Sequence, residues 1–326
     1  MNDEKKQLVS IGLPVFNGDN YLAEAIESVL GQTYKNFELL ISDNASTDKT
    51  GEICQRYASQ DNRIRYYKND HNLGANPNFN RLVALASGTF FKWMAHDDLV
   101  SPDYLEKAIA KMDSHPDAVV CHTAVKMIDE RGNRICTNEN KLQGTASLRV
   151  YDRLGALILE DPNCQSVFAL FRTNILRRTR LFHIGHNGDR LLMVELALQG
   201  PLVHINEPLF WNRIHGERYT QRPISFGLTH GATWFDMSED KKRDFPLWRS
   251  YFEYFRLVAT KVDHSADRWR CYRQLVTWWF ANFNAIKMLV ELVAFVEPRV
   301  LEFAQAIKHR FFGTSIDYFR SRENIP

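Results

Sequence analysis

The stretch WMAHDDL, residues 93–99, decides how this chain is read. Two carboxylates, Asp97 and Asp98, stand side by side directly after the apolar run FFKWM. Like charges repel, and a strand leading into them is expected to be buried. Such a pair is costly at the end of a core strand unless something there offsets the charge. The candidates are a bound cation, the helix that follows, a Lys or Arg partner, or solvent. The choice depends on the kind of sheet to which the strand belongs.

The sequence on either side repeats one rhythm. LVSIGLPVF (8–16) reads as a strand closed by Pro14 and Asn17-Gly18. NYLAEAIESVLGQ (20–32) carries Leu22, Ala25, Ile26, Val29 and Leu30 at helical spacing, with Gly31 as a stop. FELLISD (37–43) is a second buried strand, and STDKTGEICQRYASQ (46–60) a helix with Ser46 or Thr47 as N-cap. RIRYYKND (63–70) is a third strand, and NPNFNRLVALASG (76–88) a helix ending at Gly88. TFFKWMA (89–95) is the fourth strand; SPDYLEKAIAKMDSHP (101–116) is a helix capped by Ser101 with Pro102 in its first turn.

Four strand–helix alternations in about 115 residues predict an α/β fold, a mostly parallel, doubly wound sheet with helices on both faces. In such sheets ligands bind beyond the carboxyl ends of the strands. The loops at those ends, PVFNGD, SDNAST, NDHNLGAN and AHDDL, are all rich in Asn, Asp or Gly. Turn propensity accounts for part of that composition. A divalent cation accounts for the paired aspartates, because Mg2+ is held by one or two carboxylates and completed by substrate phosphates.

Bulk properties narrow the class. The chain has 326 residues, 44% hydrophobic and 25% charged, as expected of a packed globular protein. A net charge of +2 gives no case for broad nucleic-acid binding. Cys54, Cys121, Cys136, Cys164 and Cys271 are scattered; their spacing suggests neither zinc nor a disulfide framework, and a reducing, cytoplasmic setting is expected. The polar start MNDEKKQLVS does not read as a signal peptide. The most apolar run, 275–296, contains Asn282, Asn284, Lys287 and Glu291 and is a poor membrane span.

The strand-plus-PVFN opening, SDNASTDKT, the NLG…N segment and HDD together resemble a family 2 glycosyltransferase of GT-A fold. The resemblance runs from about residue 8 to about residue 219 and rests on the order and spacing of the motifs. It implies an inverting sugar transfer from a nucleotide-diphosphate sugar, UDP-sugars favoured, with Mg2+ or Mn2+. The acceptor would be a glycan or a lipid-linked sugar in cell-surface polysaccharide assembly. PVFN would form the first nucleotide loop through the backbone of Pro14 and Val15 and the side chain of Asn17. In SDNASTD, Asp43 would face the base; Asn44 stands where a second Asp is common, and Asp48 would cap the helix or support the loop. Asn72, Gly74 and Asn80 match the segment that approaches ribose and sugar, although Gly74 is equally an ordinary turn glycine. HDD departs from the family's DxDD, since Ala95 takes the place of the first Asp. Asp97 is then the leading metal ligand and Asp98 the second, with His96 a packing residue.

The resemblance implies that the second half supplies the acceptor side. AVVCHTAVKMID (118–129) reads as a strand before a turn at Arg131-Gly132-Asn133, and VFALFRTNILRRTRLF (167–182) as a strand and helix. Asp189 opens a helix in HNGDRLLMVELALQG (186–200). A carboxylate there is a good helix cap. It also matches the second residue of the family's ED motif, Gly188 replacing the Glu, which implies a general base for the acceptor hydroxyl. EPLFWNRIHGERYT (207–220) resembles the end of the family's catalytic domain. Arg213 and His215, two apart on an extended segment, share one face; the resemblance implies a diphosphate contact for Arg213 and a metal contact for His215. Glu207 is read as structural, and Trp93 and Trp211 as core aromatics sooner than sugar platforms.

The expected organisation is a catalytic domain over 1–219, split near 115 into donor and acceptor halves, and a helical, aromatic extension over 220–326. From residue 241 onward that extension has 15 Lys/Arg and 9 Asp/Glu. It reads as a bundle packed on the catalytic domain, as a basic aromatic surface for the inner face of an anionic membrane, or as a homo-oligomer contact. Two rivals stand beside the transferase. A non-catalytic GT-A-like scaffold or sugar-binding protein is kept open by Ala95 and Gly188. A nucleotidyltransferase is less favoured, because PVFNGDN lacks a basic phosphate loop.

Overall fold

The structure is a computed structural model and describes residues 7–139, 142–160, 164–183, 187–216 and 245–296. The alternation seen in the sequence builds one half of a single sheet. Strands β1 (Val9–Val15), β2 (Phe37–Asp43), β3 (Ile64–Lys68) and β4 (Phe90–Trp93) pair in parallel in the order β3-β2-β1-β4. Helices α1 (Leu22–Leu30), α2 (Thr50–Gln60) and α3 (Ala75–Leu85) make the crossovers. The other half is mixed. β8 (Leu170–Arg172) runs antiparallel to β4 and to β6 (Val120–Ile128), and β9 (Leu202–Arg213) is parallel to β6. The two-residue β5 (Leu99–Val100) pairs antiparallel with the end of β9, and β7 (Arg134–Asn138) pairs with β6.

Burial explains why the strand segments carry apolar residues without a polar face. β1 and β2 are buried at every position, as central parallel strands covered on both sides should be. Alternate side chains feed two cores. Phe90 joins Ile11, Leu13, Leu39 and Ile41 against α1 and α4 (Tyr104–Asp113). Phe91 and Trp93 face the opposite layer, which holds α3, α5 (Val150–Glu160) and α7 (Gly188–Ala197). A four-residue helix, α6 (Thr173–Leu176), follows β8.

Several boundaries differ from expectation. α2 begins at Thr50, because Ser46 and Thr47 are used elsewhere: Ser46 Oγ accepts Asn17 N–H at 2.9 Å, and Thr47 N–H donates to Asn17 Oδ1 at 2.9 Å. α4 begins at Tyr104; the Ser101 hydroxyl bonds the Asp103 carboxylate instead of capping the helix. α3 stops at Leu85, three residues before Gly88. α5 and the short strands β5 and β7 carry no sequence signal strong enough to be read.

The C-terminal region folds into α8 (Pro246–Lys261), α9 (Ser265–Phe280), a 3-10 turn (Ala281–Phe283) and α10 (Asn284–Val296). Tyr254, Leu257, Val258, Cys271, Leu275 and Met288 enter the same core as Leu154 of α5 and Leu191 and Leu192 of α7. These helices therefore pack on the sheet's second helical layer. The helix expected over VLEFAQAIKHRFF (300–312) and the chain from 220 to 244 lie outside the described residues.

Lys92 of β4 is a charged side chain that the sheet places fully inside, at 1% exposure. Its Nζ donates to the Phe168 carbonyl and sits 4.3 Å from the Tyr104 ring centroid and 5.0 Å from that of Phe210. Burial pulls its pKa down to about 7, with the charge of Asp98 opposing the shift. The folded value lies below the ordinary Lys value, so the native state holds fewer protons between about pH 7 and pH 10. The cost of the buried ammonium is therefore complete below about pH 7 and is relieved as pH rises through that window. The stability of the wild type relative to Lys92→Met should increase with pH there by about 1 kcal/mol per unit. Urea unfolding of both proteins across the window measures it; a flat difference contradicts this account.

Candidate active site

The loops beyond the carboxyl ends of β1 to β4 are tied to each other before any ligand is considered. Asn17, in the left-handed region at φ 49°, bridges the first loop to the second through the Ser46 and Thr47 contacts. Gly18 N–H donates to Thr50 Oγ1 at 2.9 Å, and Asp19 N–H to Asp48 Oδ2 at 3.1 Å. Asp48 also accepts Thr50 N–H at 3.0 Å; burial alone would raise its pKa, but these hydrogen bonds outweigh it and hold the value low. Gly18 has no room for a side chain. A Cβ there would lie 2.4 Å from His96 Cδ2, so the His96 ring packs on the first loop.

Asn44 is the hub of the second and third loops. Its Nδ2 donates to Asn72 Oδ1 at 2.8 Å and to the Gly74 carbonyl at 3.0 Å; its Oδ1 accepts from Asn69 Nδ2 and Leu73 N–H, both at 2.9 Å. Asn72 Oδ1 also accepts Gly74 N–H at 2.8 Å, and Gly74 turns the chain into α3 at φ 88°. Asn78 extends the network by donating to the Ser42 carbonyl and accepting from the Ser42 hydroxyl and Asn69. Asp43 is fully buried. Its Oδ1 accepts Ser46 N–H at 2.8 Å and its Oδ2 the Tyr66 hydroxyl at 2.7 Å. Asp43 and Asn44 thus lie inside the loop framework, whereas Phe16 stands 43% exposed at its rim.

The two aspartates of HDD point different ways. Asp98 is buried and turned toward β9. Its carboxylate accepts two hydrogen bonds from Asn212 Nδ2, at 3.0 and 3.2 Å, and one from Arg213 N–H at 2.8 Å. Asp97 lies nearer the surface, with its Oδ2 2.9 Å from His215 Nε2. The alternation along the end of β9 makes both arrangements possible: Asn212 serves Asp98, while Arg213 and His215 reach Asp97 from one face.

Arg213 is fully buried and spent within the protein. Its guanidinium donates to the carbonyls of Asp97 and Glu130, each at 2.9 Å, and to Glu24 Oε2 at 2.7 Å, and it stacks 4.4 Å from the Tyr21 ring centroid. The Tyr21 and His215 ring centroids are 4.9 Å apart. This corner therefore joins α1, the HDD loop, the β6–β7 turn and the end of β9. Tyr21, Glu24 and Asn212 were not legible as site residues. Only Asn212, inside the FWNRIH segment, stands next to a motif that could have suggested it.

Asn80 and Asp189 sit on the neighbouring side. Asn80 clamps the backbone of Phe182, donating to its carbonyl at 2.9 Å and accepting its N–H at 3.1 Å. Asp189 lies in the first turn of α7, where its Oδ1 accepts Arg190 N–H at 2.7 Å. The preceding Gly188 approaches Asn76 at the start of α3, which places the beginning of α7 beside the Asn72–Gly74 loop. C-terminal helices brace the same segment. Asn187 Nδ2 lies 3.3 Å from Ser250 Oγ, and Arg180 donates to Glu253 of α8 at 2.7 Å. Trp93 is core, donating to the Phe79 carbonyl at 3.1 Å, and Lys126 Nζ covers the Trp211 ring at 4.0 Å. Glu207 pairs with Lys107 at the surface.

Among the described residues no group of three or more His, Cys, Asp or Glu side chains gathers as a metal cage. Asp97 and His215 offer one oxygen and one nitrogen donor side by side. Such a pair fits a hard divalent cation whose other positions come from phosphate and water.

The model of glycosyl transferase family 2 matches residues 10–180, more than half of the sequence, and the chain belongs to that family. A protein of Rickettsia typhi described as an uncharacterised glycosyltransferase is 37% identical over 131 residues, 39% of each chain. The chain spans between 21% and 45% of the length of the first curated relatives it matches. Among solved structures it is similar to Staphylococcus aureus TarS 1–349 in complex with UDP-GlcNAc, with a TM-score of 0.62 at 16% identity over 90% of this chain and 82% of that one. It is also similar to the Pyrobaculum calidifontis mannosyltransferase PcManGT in complex with GDP-Man and Mn2+, with a TM-score of 0.53 at 15% identity over 95% and 84%. These likenesses give the fold: a GT-A sheet with a helical C-terminal region.

The geometry separates the neighbouring aspartates experimentally. Asp98→Ala strands two buried donors, Asn212 Nδ2 and Arg213 N–H, and should lose about 2–4 kcal/mol of unfolding free energy. Asp97→Ala breaks a contact nearer solvent and should lose less than about 1 kcal/mol. Urea unfolding in EDTA reads both; equal losses would show that Asp98 is not the structural member of the pair.

Proposed function

We propose that this chain transfers a sugar, with inversion, from a nucleotide-diphosphate sugar to a hydroxyl of a glycan or lipid-linked acceptor, assisted by Mg2+ or Mn2+. The observation that carries the reading is the convergence of Asp97, Arg213 and His215 where β5 and β9 meet, beside the interlocked loops after β1, β2 and β3. Family membership supports the transfer, and the nucleotide-sugar complexes of TarS and PcManGT support the donor class.

Asp97 and His215 would hold the cation, which when bound offsets the charge of the diphosphate and stabilises it as a leaving group. The chain's own groups do the rest. Asp98 and Arg213 set the Asp97 backbone, so neither needs to touch the donor. The backbone of Pro14 and Val15 and the side chain of Asn17 line the first loop, and Phe16 offers an exposed ring for stacking the base. Asp43, Asn44, Asn72 and Gly74 keep the second and third loops in register with it. Asp189, at the start of α7, would take the acceptor proton as its oxygen attacks. A place in cell-surface polysaccharide assembly follows from this acceptor class and is part of the proposal.

The test is a thermal-shift panel of UDP, GDP, CDP and dTDP, each with and without Mn2+, followed by turnover assays with the sugar form of the stabilising nucleotide. Binding to the native state raises Tm by mass action. One nucleotide should stabilise the protein only with metal, and Asp97→Ala should abolish that shift. Asp189→Asn should keep the shift and lose on the order of 100-fold or more in turnover. A folded protein that responds to no nucleotide would instead favour a non-catalytic scaffold.

A further inference from the structure

The C-terminal helices turn two faces to different uses. One face enters the core through Cys271, Leu275, Trp278 and Met288. The other carries large apolar side chains into solvent: Trp269 (71% exposed), Val276 and Phe280 (78%) at helical spacing on α9, Phe283 (72%) at the turn, then Ile286 and Leu289 on α10. The stripe is continuous through the α9–α10 corner, where the two most prominent phenylalanines stand three residues apart. Isolated exposed apolar residues need no explanation, but a run of this length marks a contact surface.

Charge selects what the surface meets. The exposed charged side chains on α9 and α10 are Arg270, Arg273 and Lys287, all basic. The two helices carry four Arg or Lys, Arg268, Arg270, Arg273 and Lys287, against two acidic groups, Asp267 and Glu291. Asp267 pairs with Arg270 at 3.2 Å, and Glu291 turns inward to accept Leu247 N–H at 2.9 Å. A two-fold contact with a second copy would set this basic stripe against itself. Residues 297–326, which follow α10, bring five Lys/Arg and four Asp/Glu, no acidic excess to complement it. An anionic bilayer complements it on both counts. Its phosphates meet Arg and Lys, and its headgroup boundary accepts Trp and Phe rings. No helix of the described residues is long and apolar enough to cross a membrane, so contact would be made along the surface.

We propose that the α9–α10 corner docks on an anionic lipid bilayer, with Phe280 and Phe283 entering the headgroup boundary and Arg273 and Lys287 engaging lipid phosphates. This goes beyond the transfer reading and does not rest on it. The full chain would be sedimented with vesicles of phosphatidylcholine, alone or mixed with phosphatidylglycerol, at low and high salt. The wild type should pellet with the mixed vesicles at low salt only. The double variants Phe280→Ser/Phe283→Ser and Arg273→Glu/Lys287→Glu should each bind at least about tenfold less. Phe280 and Phe283 are exposed, so Tm and the nucleotide-induced thermal shift of their double variant should be unchanged, which reads the donor site separately. Binding that ignores lipid charge, or survives either variant, overturns the proposal. So does a dimer in sedimentation velocity that the Phe280/Phe283 variant dissolves without any vesicle binding by the wild type.

Discussion

The carboxylate of Asp98 is the fastening on which the candidate site depends. It is a buried negative charge, and it is tolerable there because three hydrogen bonds from Asn212 and Arg213 arrive from the end of β9. That contact fixes where the last residues of β9 run. It thereby sets the Arg213 guanidinium against the Asp97 carbonyl and the His215 ring against the Asp97 carboxylate. Of two adjacent aspartates, one builds the corner and the other is presented by it. The repulsion expected of the pair is relieved by sending the two side chains to different partners.

The loops after β1, β2 and β3 follow another logic. Their cross-links are made by Asn17, Asn44, Asn69, Asn72 and Asn78, with Ser46 and Thr50. An amide can donate and accept at once, so a single Asn44 closes four hydrogen bonds between two loops. Serving three loops with carboxylates would need matching cations. The asparagine-rich composition of these loops is thus a framework property as much as a ligand-binding one.

The parallel half of the sheet was legible because its signals are local. Strand and helix periods, glycine turns and the HDD position all lie within short windows, and β1 to β4 fell where the apolar runs placed them. Two kinds of information were not legible. Ser46 looks like a helix cap in sequence but is taken by Asn17, 29 residues away; Ser101 is taken by Asp103, a local choice between two hydroxyl partners that residue type does not decide. The roles of Asp43, Arg213 and Asp98 depend on which neighbours fill their hydrogen-bonding capacity, and besides Ser46, three residues from Asp43, these include Tyr66, Asp98 and Glu24 at separations of 23, 115 and 189 residues. Residue type and spacing placed Arg213 and His215 on one face correctly. They could not reveal that Glu24 and Tyr21 would enclose the guanidinium.

Arg213 has one more implication, for the order in which the molecule becomes competent. Its side chain meets Glu24, Asp97 and Glu130, groups drawn from three distant parts of the chain. Contacts of such sequence separation carry a large loop-closure cost and come late in folding. The parallel half of the sheet can therefore assemble while this corner is still open. A chain still emerging from synthesis, with β9 not yet in place, would hold the interlocked loops but not the Asp97–His215 pair, and so would lack this corner until its sheet was complete.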